Sequence, residues 1–424
     1  MRFSLINPRW DFDRSIYFGC REPHLPLELG YSRVLLERAG HEAQIVDAHL
    51  NDLTLEQIRA SVSEFDSDFA VVTTAPSYLF WRCAPPELRV PRQVMNVLHD
   101  LPCKLVGVGP HGSTTPTAAL RKLGADVVVI GECEEILPKL ADDWSATASI
   151  CYRSESGVRV QGDPHASNMN ELPDVHWDSK TIARHSHHHH RFDASPVGPG
   201  AEIETSRGCP YHCTFCAKDN FRNAFRRRPI ETVARELDGL VAAGIEYVYF
   251  IDEIFLAYRP VLEMIDARRI KFGIQTRIDL WTHEMIDLLG KAGCVSIEAG
   301  VESITPAGRD LLQKKCKLST SEITERLLYA RKRVPFVQAN LLDCQADEPE
   351  EVEAWRQSLQ EHGVWANKPV PLFPYPGSPD YTQRWGRPDD NAWERAHEFY
   401  LNQFDEFSDI QEQRPAPLVQ LEAR

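Results

Sequence analysis

The sequence predicts an α/β chain in two parts: an open, doubly wound parallel sheet, then an incomplete barrel of βα units with a short helical tail. Three observations predict it. Short β-rich runs alternate with helix-period runs along most of the chain, as in parallel sheets covered by helices. The alternation lapses once, from about Ser145 to Gly200, where Pro, Gly, Ser and Asp scatter without a sustained period. Where it resumes, thiols and charged residues stand at the carboxyl ends of successive strand runs. The expected organisation is a Rossmann-like domain over 1–145, a connection over 146–200, the partial barrel over 201–376 and a helical extension over 377–424.

In the first part the strand runs are Phe3–Ile6, Ala43–Val46, Asp68–Thr73, Lys104–Val108 and Asp126–Ile130. Five such runs complete a small sheet. Thr54 with Gln57 three residues on is a capping box, and Leu55, Ile58 and Val62 mark one face of the helix it opens. Ligands of open parallel sheets bind outside the carboxyl ends of the strands, so the loops to watch follow Asn7, Thr73, Gly107 and Gly131. No Gly-x-Gly-x-x-Gly follows the first strand, which disfavours a nicotinamide or flavin dinucleotide.

A net charge of −15 over 424 residues excludes the basic surface expected of a nucleic-acid binder. No apolar run is long enough to span a bilayer, and Met1–Pro8 is too short and too quickly interrupted for a signal peptide. The expectation is a cytoplasmic protein with neither membrane nor nucleic-acid partner. Its 11 cysteines are then thiols, metal ligands or catalytic groups rather than disulfides.

The connection carries a run, Arg184-His-Ser-His-His-His-His-Arg191, read either as a solvated polar linker or as a metal or active-site element at the barrel mouth. A short hairpin is expected around Gly157. Beyond it the barrel strands are the run through Ile203, Tyr247–Ile251, Phe272–Thr276, Val295–Glu298, Phe336–Leu342 and Val370–Pro374. Val233, Leu237, Leu240 and Val241 share a helical face. Their site would lie at the carboxyl ends. There stand Asp252 and Glu253, Arg277 and Asp279, Glu298 with Glu302 and Ser303, and Asp343 and Gln345. Each acid is either functional or paired with a neighbouring arginine.

The chemistry centres on Cys209-Pro-Tyr-His-Cys213-Thr-Phe-Cys216. Thiolates at i, i+4 and i+7 of a compact loop can meet one metal centre and leave one iron of a four-iron cluster without a protein ligand. The residues also admit a Cys₃His zinc site completed by His212 or a distant histidine. Arg222, Arg226, Arg227 and Arg228 follow, either as a solvated helix start or as a seat for an anionic substrate. The tail aromatics Trp385, Trp393, Phe399, Tyr400, Phe404 and Phe407 are spaced for a helix packed on the barrel.

The motif Cys209-x-x-x-Cys213-x-Phe-Cys216 resembles the signature of the radical S-adenosylmethionine superfamily. In the first part, Ala39-Gly-His-Glu42, Gly109-Pro-His111 and Gly131-Glu132 with Glu134 resemble the cobalamin-binding domain that precedes the barrel in one class of that superfamily. Asp47-x-His49-x-x-Asp52 follows the wrong strand for a cobalt-ligating histidine motif and reads as a solvated loop. The resemblance implies a [4Fe–4S] cluster on Cys209, Cys213 and Cys216, S-adenosylmethionine and cobalamin as cofactors, and a flavodoxin or ferredoxin as electron donor. It places Phe215 at the adenine, Glu302 and Ser303 near the ribose or amino group, and Arg277, in Gln275-Thr-Arg277, near the methionyl carboxylate. It places Asp252 at the amine, adds Glu298 to the cofactor site, and sets Gly109, Pro110, His111, Gly131 and Glu132 at cobalamin. The activity it implies is methylation of an unactivated carbon of a small-molecule or saccharide-type substrate, started by a 5′-deoxyadenosyl radical. Ring contraction, cyclisation or rearrangement without methyl transfer stands beside it. So do methylthiotransfer, with a second cluster among Cys20, Cys83, Cys103 and Cys133, and a non-enzymatic corrinoid or metal sensor.

Overall fold

The structure is a computed structural model and describes residues 1–16, 23–77, 84–185, 199–222, 224–403 and 414–423. His187–His190, Cys20, Cys83, Phe404 and Phe407 lie outside the described residues. The first sheet begins with β1 (Arg2–Asn7), β2 (Glu42–Asp47), β3 (Phe69–Thr73), β4 (Lys104–Val108) and β5 (Val127–Val129), all parallel, in the order β2-β1-β3-β4-β5. Strand alternation sorts the apolar side chains onto two faces: Ala70 and Val72 pack in one core, Phe69 and Val71 in another. Both faces are therefore covered, as continuous apolar runs require. The Thr54–Gln57 capping box is formed, and Ile58 and Val62 are buried beneath that helix.

The hairpin around Gly157 is β6 (Ile150–Ser154) and β7 (Gly157–Gln161), and it does not stand in a loose connection. β6 pairs antiparallel with β5 and continues the first sheet past Ser145. The rest of the connection is a strap rather than a free linker, with Met169, Leu172, Val175 and Ile182 buried in the core of the second half.

The second half contains β8 (Gly200–Ile203), β9 (Ser206–Arg207), β10 (Arg226–Arg227), β11 (Tyr247–Phe250), β12 (Lys271–Thr276), β13 (Cys294–Glu302), β14 (Phe336–Asp343), β15 (Trp365–Ala366) and β16 (Val370–Pro371). Six of them form a curled parallel half-barrel in the order β15-β14-β13-β12-β11-β8, while β9 and β10 make a separate antiparallel ribbon. Helix-forming segments with apolar faces link the strands, and Val233, Leu237 and Leu240 are buried under one of them, whereas Val241 is exposed.

The sixth strand differs from the expectation. Trp365–Ala366 completes the barrel, and Val370–Pro371 pairs farther along the same neighbour, β14. Between them the Asn367 side chain stands in for the ladder: its amide donates to the Leu341 carbonyl at 3.0 Å and its oxygen accepts from the Leu341 N–H at 2.8 Å. Pro369, which has no N–H, could not do so through its backbone. The tail packs on the second half as expected, with Trp393 in its core and Tyr400 against Phe373, and it also reaches the first half. Its helix Ala392–Gln403 bridges to the first half, where the Trp393 indole donates to Thr115 at 3.1 Å and Lys122 pairs with Glu394.

One glycine of the first sheet is fixed by a close approach. Gly131 has φ 91°, and a Cβ there would lie 2.3 Å from the His165 backbone. Gly131→Ala is expected to cost about 2 kcal/mol or more, read as a lower denaturant midpoint with an unchanged slope.

Candidate functional site

The loop Cys209–Cys216 leaves the β9 end at Gly208, whose φ of 77° brings its backbone against Ala224, with room for no Cβ. Two bonds clamp the loop from other elements: Thr214 N–H donates to the Leu312 carbonyl at 3.1 Å, and Asp380 N–H to the Thr214 carbonyl at 2.9 Å. Cys209, Cys213 and Cys216 are half-buried free thiols. Burial, then the neighbouring thiol charges, pushes Cys216 up to about 12, and Cys209 rises to about 11. His212 is exposed with its ring 3.3 Å from Asp219, and among the described residues no three His, Cys, Asp or Glu groups form a single-ion site.

Burial raises the Cys213 thiol, and the charges acting on it include those of Lys314, Glu302, Arg277 and Asp279. Arg277 donates to Asp279 through Nε and Nη2, at 3.1 and 2.7 Å, and its guanidinium lies 4.0 Å over the Tyr211 ring. Its Nη1 is buried and has no hydrogen-bond partner among the described residues. Glu302 sits at φ 63°, where the β13–β14 register shifts, and pairs with the buried Lys314. Phe215 is half-buried on the same loop. Lys314 belongs to no motif, and Tyr211 stands at an unspecified position of the cysteine motif, so neither carried a sequence signal.

Other expected site residues lie elsewhere. Both Asp252 oxygens are taken, by Thr205 N–H at 2.7 Å and by the Thr205 and Ser206 hydroxyls at 2.5 Å. Burial, only partly offset by those bonds, raises its carboxyl to about 7. Asp252 is thus the staple of the β8–β9 turn, not an open ligand. Ser303 donates to Asp347 at 2.8 Å and helps fix the turn after β13. Gln275 and Glu298 lie one layer inside the rim, side by side in the β12–β13 register. His111 is buried with its ring 4.6 Å from Trp393, at the helix that Gly109 and Pro110 open.

Glu132 is the hinge of a buried ion network. It accepts from Arg207 at 3.0 Å and from Arg226, while Arg207 also reaches Glu134 at 2.7 Å and Glu204 at 2.5 Å. Arg222 adds Glu204 and Glu253, both at 3.4 Å. Burial acts to raise the Glu132 carboxyl, but Arg207 with Arg226 and Arg222 outweighs it and holds it low. Arg228 bonds Glu236 at 2.6 Å and Tyr31 at 3.0 Å. Three of the four clustered arginines are therefore neither solvated nor open to a substrate, and Arg227 lies 4.2 Å over the Tyr258 ring.

At the first sheet, strand order turns at β1, between β2 and β3. Asn7, Trp10, Phe12, His24, His49, Pro76 and Ser77 line a small cleft there, with a cavity of about 10 Å³. His49 is half-buried and accepts the Trp10 N–H at 3.2 Å, so it is not the solvated histidine expected. Next to the pocket, the Thr73 and Thr74 hydroxyls are buried without hydrogen-bond partners among the described residues.

Residues 203–352 match the model of the radical SAM superfamily, so the second half of the chain carries a radical S-adenosylmethionine domain. Set behind a Rossmann-like sheet, it has the architecture of the cobalamin-dependent members of that superfamily. The radical S-adenosylmethionine methyltransferase TsrM of Kitasatospora setae, solved with cobalamin and a [4Fe–4S] cluster, superposes with a TM-score of 0.69 at 20% identity, over 89% of this chain and 76% of that one. The cobalamin-dependent enzyme OxsB superposes at 0.63 and 18% identity, over 80% of this chain and 49% of that one. In sequence, an uncharacterised methyltransferase of Pyrococcus horikoshii is 26% identical over 66% of this chain and 61% of its own length. The hopanoid C-3 methylase of Methylococcus capsulatus is 26% identical over 85% of this chain and 68% of its own.

Two expectations follow from the buried charges. Glu132→Ala leaves Arg207 under-compensated and is expected to cost about 3–5 kcal/mol, measured by denaturant unfolding. Glu28 is buried, accepts from Ser77 at 2.5 Å, and is raised to about 7, chiefly by desolvation. The folded state therefore holds a proton that the unfolded state gives up near 4.5, and stability falls as pH rises from about 4.5 through 7. Glu28→Gln should flatten that slope by about 1 kcal/mol per pH unit in unfolding measured at pH 5 and pH 7.

Proposed function

We propose that the chain is a cobalamin-dependent radical S-adenosylmethionine methyltransferase acting on an unactivated carbon of a small molecule. One observation carries this reading: buried Arg277, whose Nη1 donor has no partner among the described residues, is one of the charges acting on the Cys213 thiol at the half-barrel rim. Three thiols on one loop suit a cluster with an open iron, and a guanidinium with a free donor beside it suits the methionyl carboxylate. Phe215 lies on the loop for the adenine. Glu302, steadied by Lys314, takes the ribose or amino group. With Asp252 occupied, the amine falls to the backbone and to Glu302.

The first sheet supports cobalamin through the Thr73 and Thr74 hydroxyls, buried acceptors and donors that a polar ligand at the strand ends can complete. When bound, the cluster with S-adenosylmethionine supplies hydrogen-atom abstraction and cobalamin supplies methyl transfer. This chain's part is to bind and orient: Arg277 fixes one end of S-adenosylmethionine, the clamps on Thr214 fix the loop, and the buried ion network fixes the loop against the first sheet. A one-electron donor such as flavodoxin or ferredoxin and a reducing compartment, the cytoplasm, complete the reading. Methylthiotransfer loses its second donor set, since Cys103 packs on one face of the first sheet and Cys133 on the other.

The test is anaerobic reconstitution followed by reduction with S-adenosylmethionine present. About four irons per chain and formation of 5′-deoxyadenosine are expected, with product lost in Cys213→Ser. Arg277→Ala should keep its iron and raise the S-adenosylmethionine concentration for half-maximal rate about 10- to 100-fold. An iron-loaded wild type that forms no 5′-deoxyadenosine contradicts the proposal.

A further inference from the structure

The guanidinium of Arg277 is held on two sides and open on a third. Nε and Nη2 donate to the two oxygens of Asp279, at 3.1 and 2.7 Å, the side-on fork of an arginine–carboxylate pair. Asp279 is itself tied to the helix Thr320–Arg331, from which Arg326 donates to its backbone carbonyl at 2.8 Å. A guanidinium carries five N–H groups, so this fork leaves both hydrogens of Nη1 and the second of Nη2 on the far edge. Nη1 is buried and has no hydrogen-bond partner among the described residues.

Two coplanar bonds to one carboxylate fix the guanidinium within its plane but let it rock about the axis of the fork. A contact on its face removes that freedom. The Tyr211 ring centroid lies 4.0 Å from the guanidinium carbon, within the range of a cation–π contact. Arg277 is 6% exposed and Tyr211 half-buried, so the ring covers the cation as well as attracting it. An aliphatic side chain there would cover the guanidinium without attracting it, and a carboxylate would cancel the charge that the open edge offers to an anion.

Tyr211 also belongs to the cysteine loop, two positions after Cys209 and two before Cys213. Burial raises the Cys209 thiol, and the first contact that opposes the rise is a hydrogen bond from the Tyr211 backbone N–H. One residue thus reaches a loop thiol through its backbone and the guanidinium through its ring.

We propose that Tyr211 is a positioning residue for S-adenosylmethionine: its ring sets the tilt of Arg277 so that the open edge of the guanidinium meets the methionyl carboxylate, and it ties that contact to the cysteine loop. The inference deepens the radical reading and rests on it for the identity of the ligand. Tyr211 acts through Arg277, not on the reacting atoms.

The experiment is equilibrium dialysis of radiolabelled S-adenosylmethionine against the full, anaerobically reconstituted chain before reduction. It compares the wild type with Tyr211→Phe, Tyr211→Leu, Tyr211→Met, Arg277→Ala and Tyr211→Leu combined with Arg277→Ala. About four irons per chain are expected in each. Tyr211→Phe keeps the ring face and should bind within about twofold of the wild type, whereas Tyr211→Leu and Tyr211→Met should bind about 10-fold more weakly. With Arg277→Ala already in place, Tyr211→Leu should cost no further affinity, because the ring acts only through the guanidinium. After reduction, the S-adenosylmethionine concentration for half-maximal 5′-deoxyadenosine formation should rise about 10-fold in Tyr211→Leu while the rate at saturation is kept. A loss as large in Tyr211→Phe, or a full further loss in the Arg277→Ala background, overturns the proposal. Loss of iron from both Tyr211→Leu and Tyr211→Met makes Tyr211 a residue of loop folding and also overturns it. An iron-loaded wild type that binds no S-adenosylmethionine removes the radical reading and this inference with it, whereas undiminished binding in Tyr211→Leu and Tyr211→Met removes the role of Tyr211 alone.

Discussion

The buried guanidinium of Arg207 is the contact on which the rest of the architecture depends. It sits two residues before Cys209, is fully buried, and is held by Glu132 and Glu134 from the first half and Glu204 from the second. A charge taken out of water is tolerated only with close, well-directed partners. Removing any member leaves the others uncompensated, so the network fixes the cluster loop relative to the first sheet rather than merely adding to stability. Arg222 and Arg226 extend it along the ribbon that follows the loop.

This arrangement suits a reaction in which two cofactors must address one atom. Small displacements between reacting groups cost large factors in rate. A loop tied by apolar contacts can slide, whereas one tied by directional ion pairs has a single good position. The clamps on Thr214 act on the same loop from the opposite side, through Leu312 and Asp380.

Much of the fold was legible from local pattern. Continuous apolar runs gave the parallel strands, the Thr54–Gln57 pair gave a helix start, and the cysteine spacing gave the loop. The sixth barrel strand was misplaced because Val370–Pro371 has strand composition, while Trp365–Ala366 is only two residues long and joined to its neighbour by an asparagine side chain. The site was legible where a motif names a residue and opaque where burial decides its role. Asp252, Ser303 and Glu132 have the chemistry of ligands, but tertiary contacts consume it. Lys314 and Tyr211 gain their roles from Glu302 and Arg277, neighbours that no spacing rule records.

The central claim is an iron–sulfur cluster with one iron open to S-adenosylmethionine at the half-barrel rim. Electron–nuclear double resonance on the reduced, reconstituted protein with ¹⁵N-amino- or ¹⁷O-carboxylate-labelled S-adenosylmethionine tests it most directly. Hyperfine coupling is expected from both labels, and is lost for the carboxylate label in Arg277→Ala. A reduced cluster that shows coupling to neither label in the wild type would contradict it.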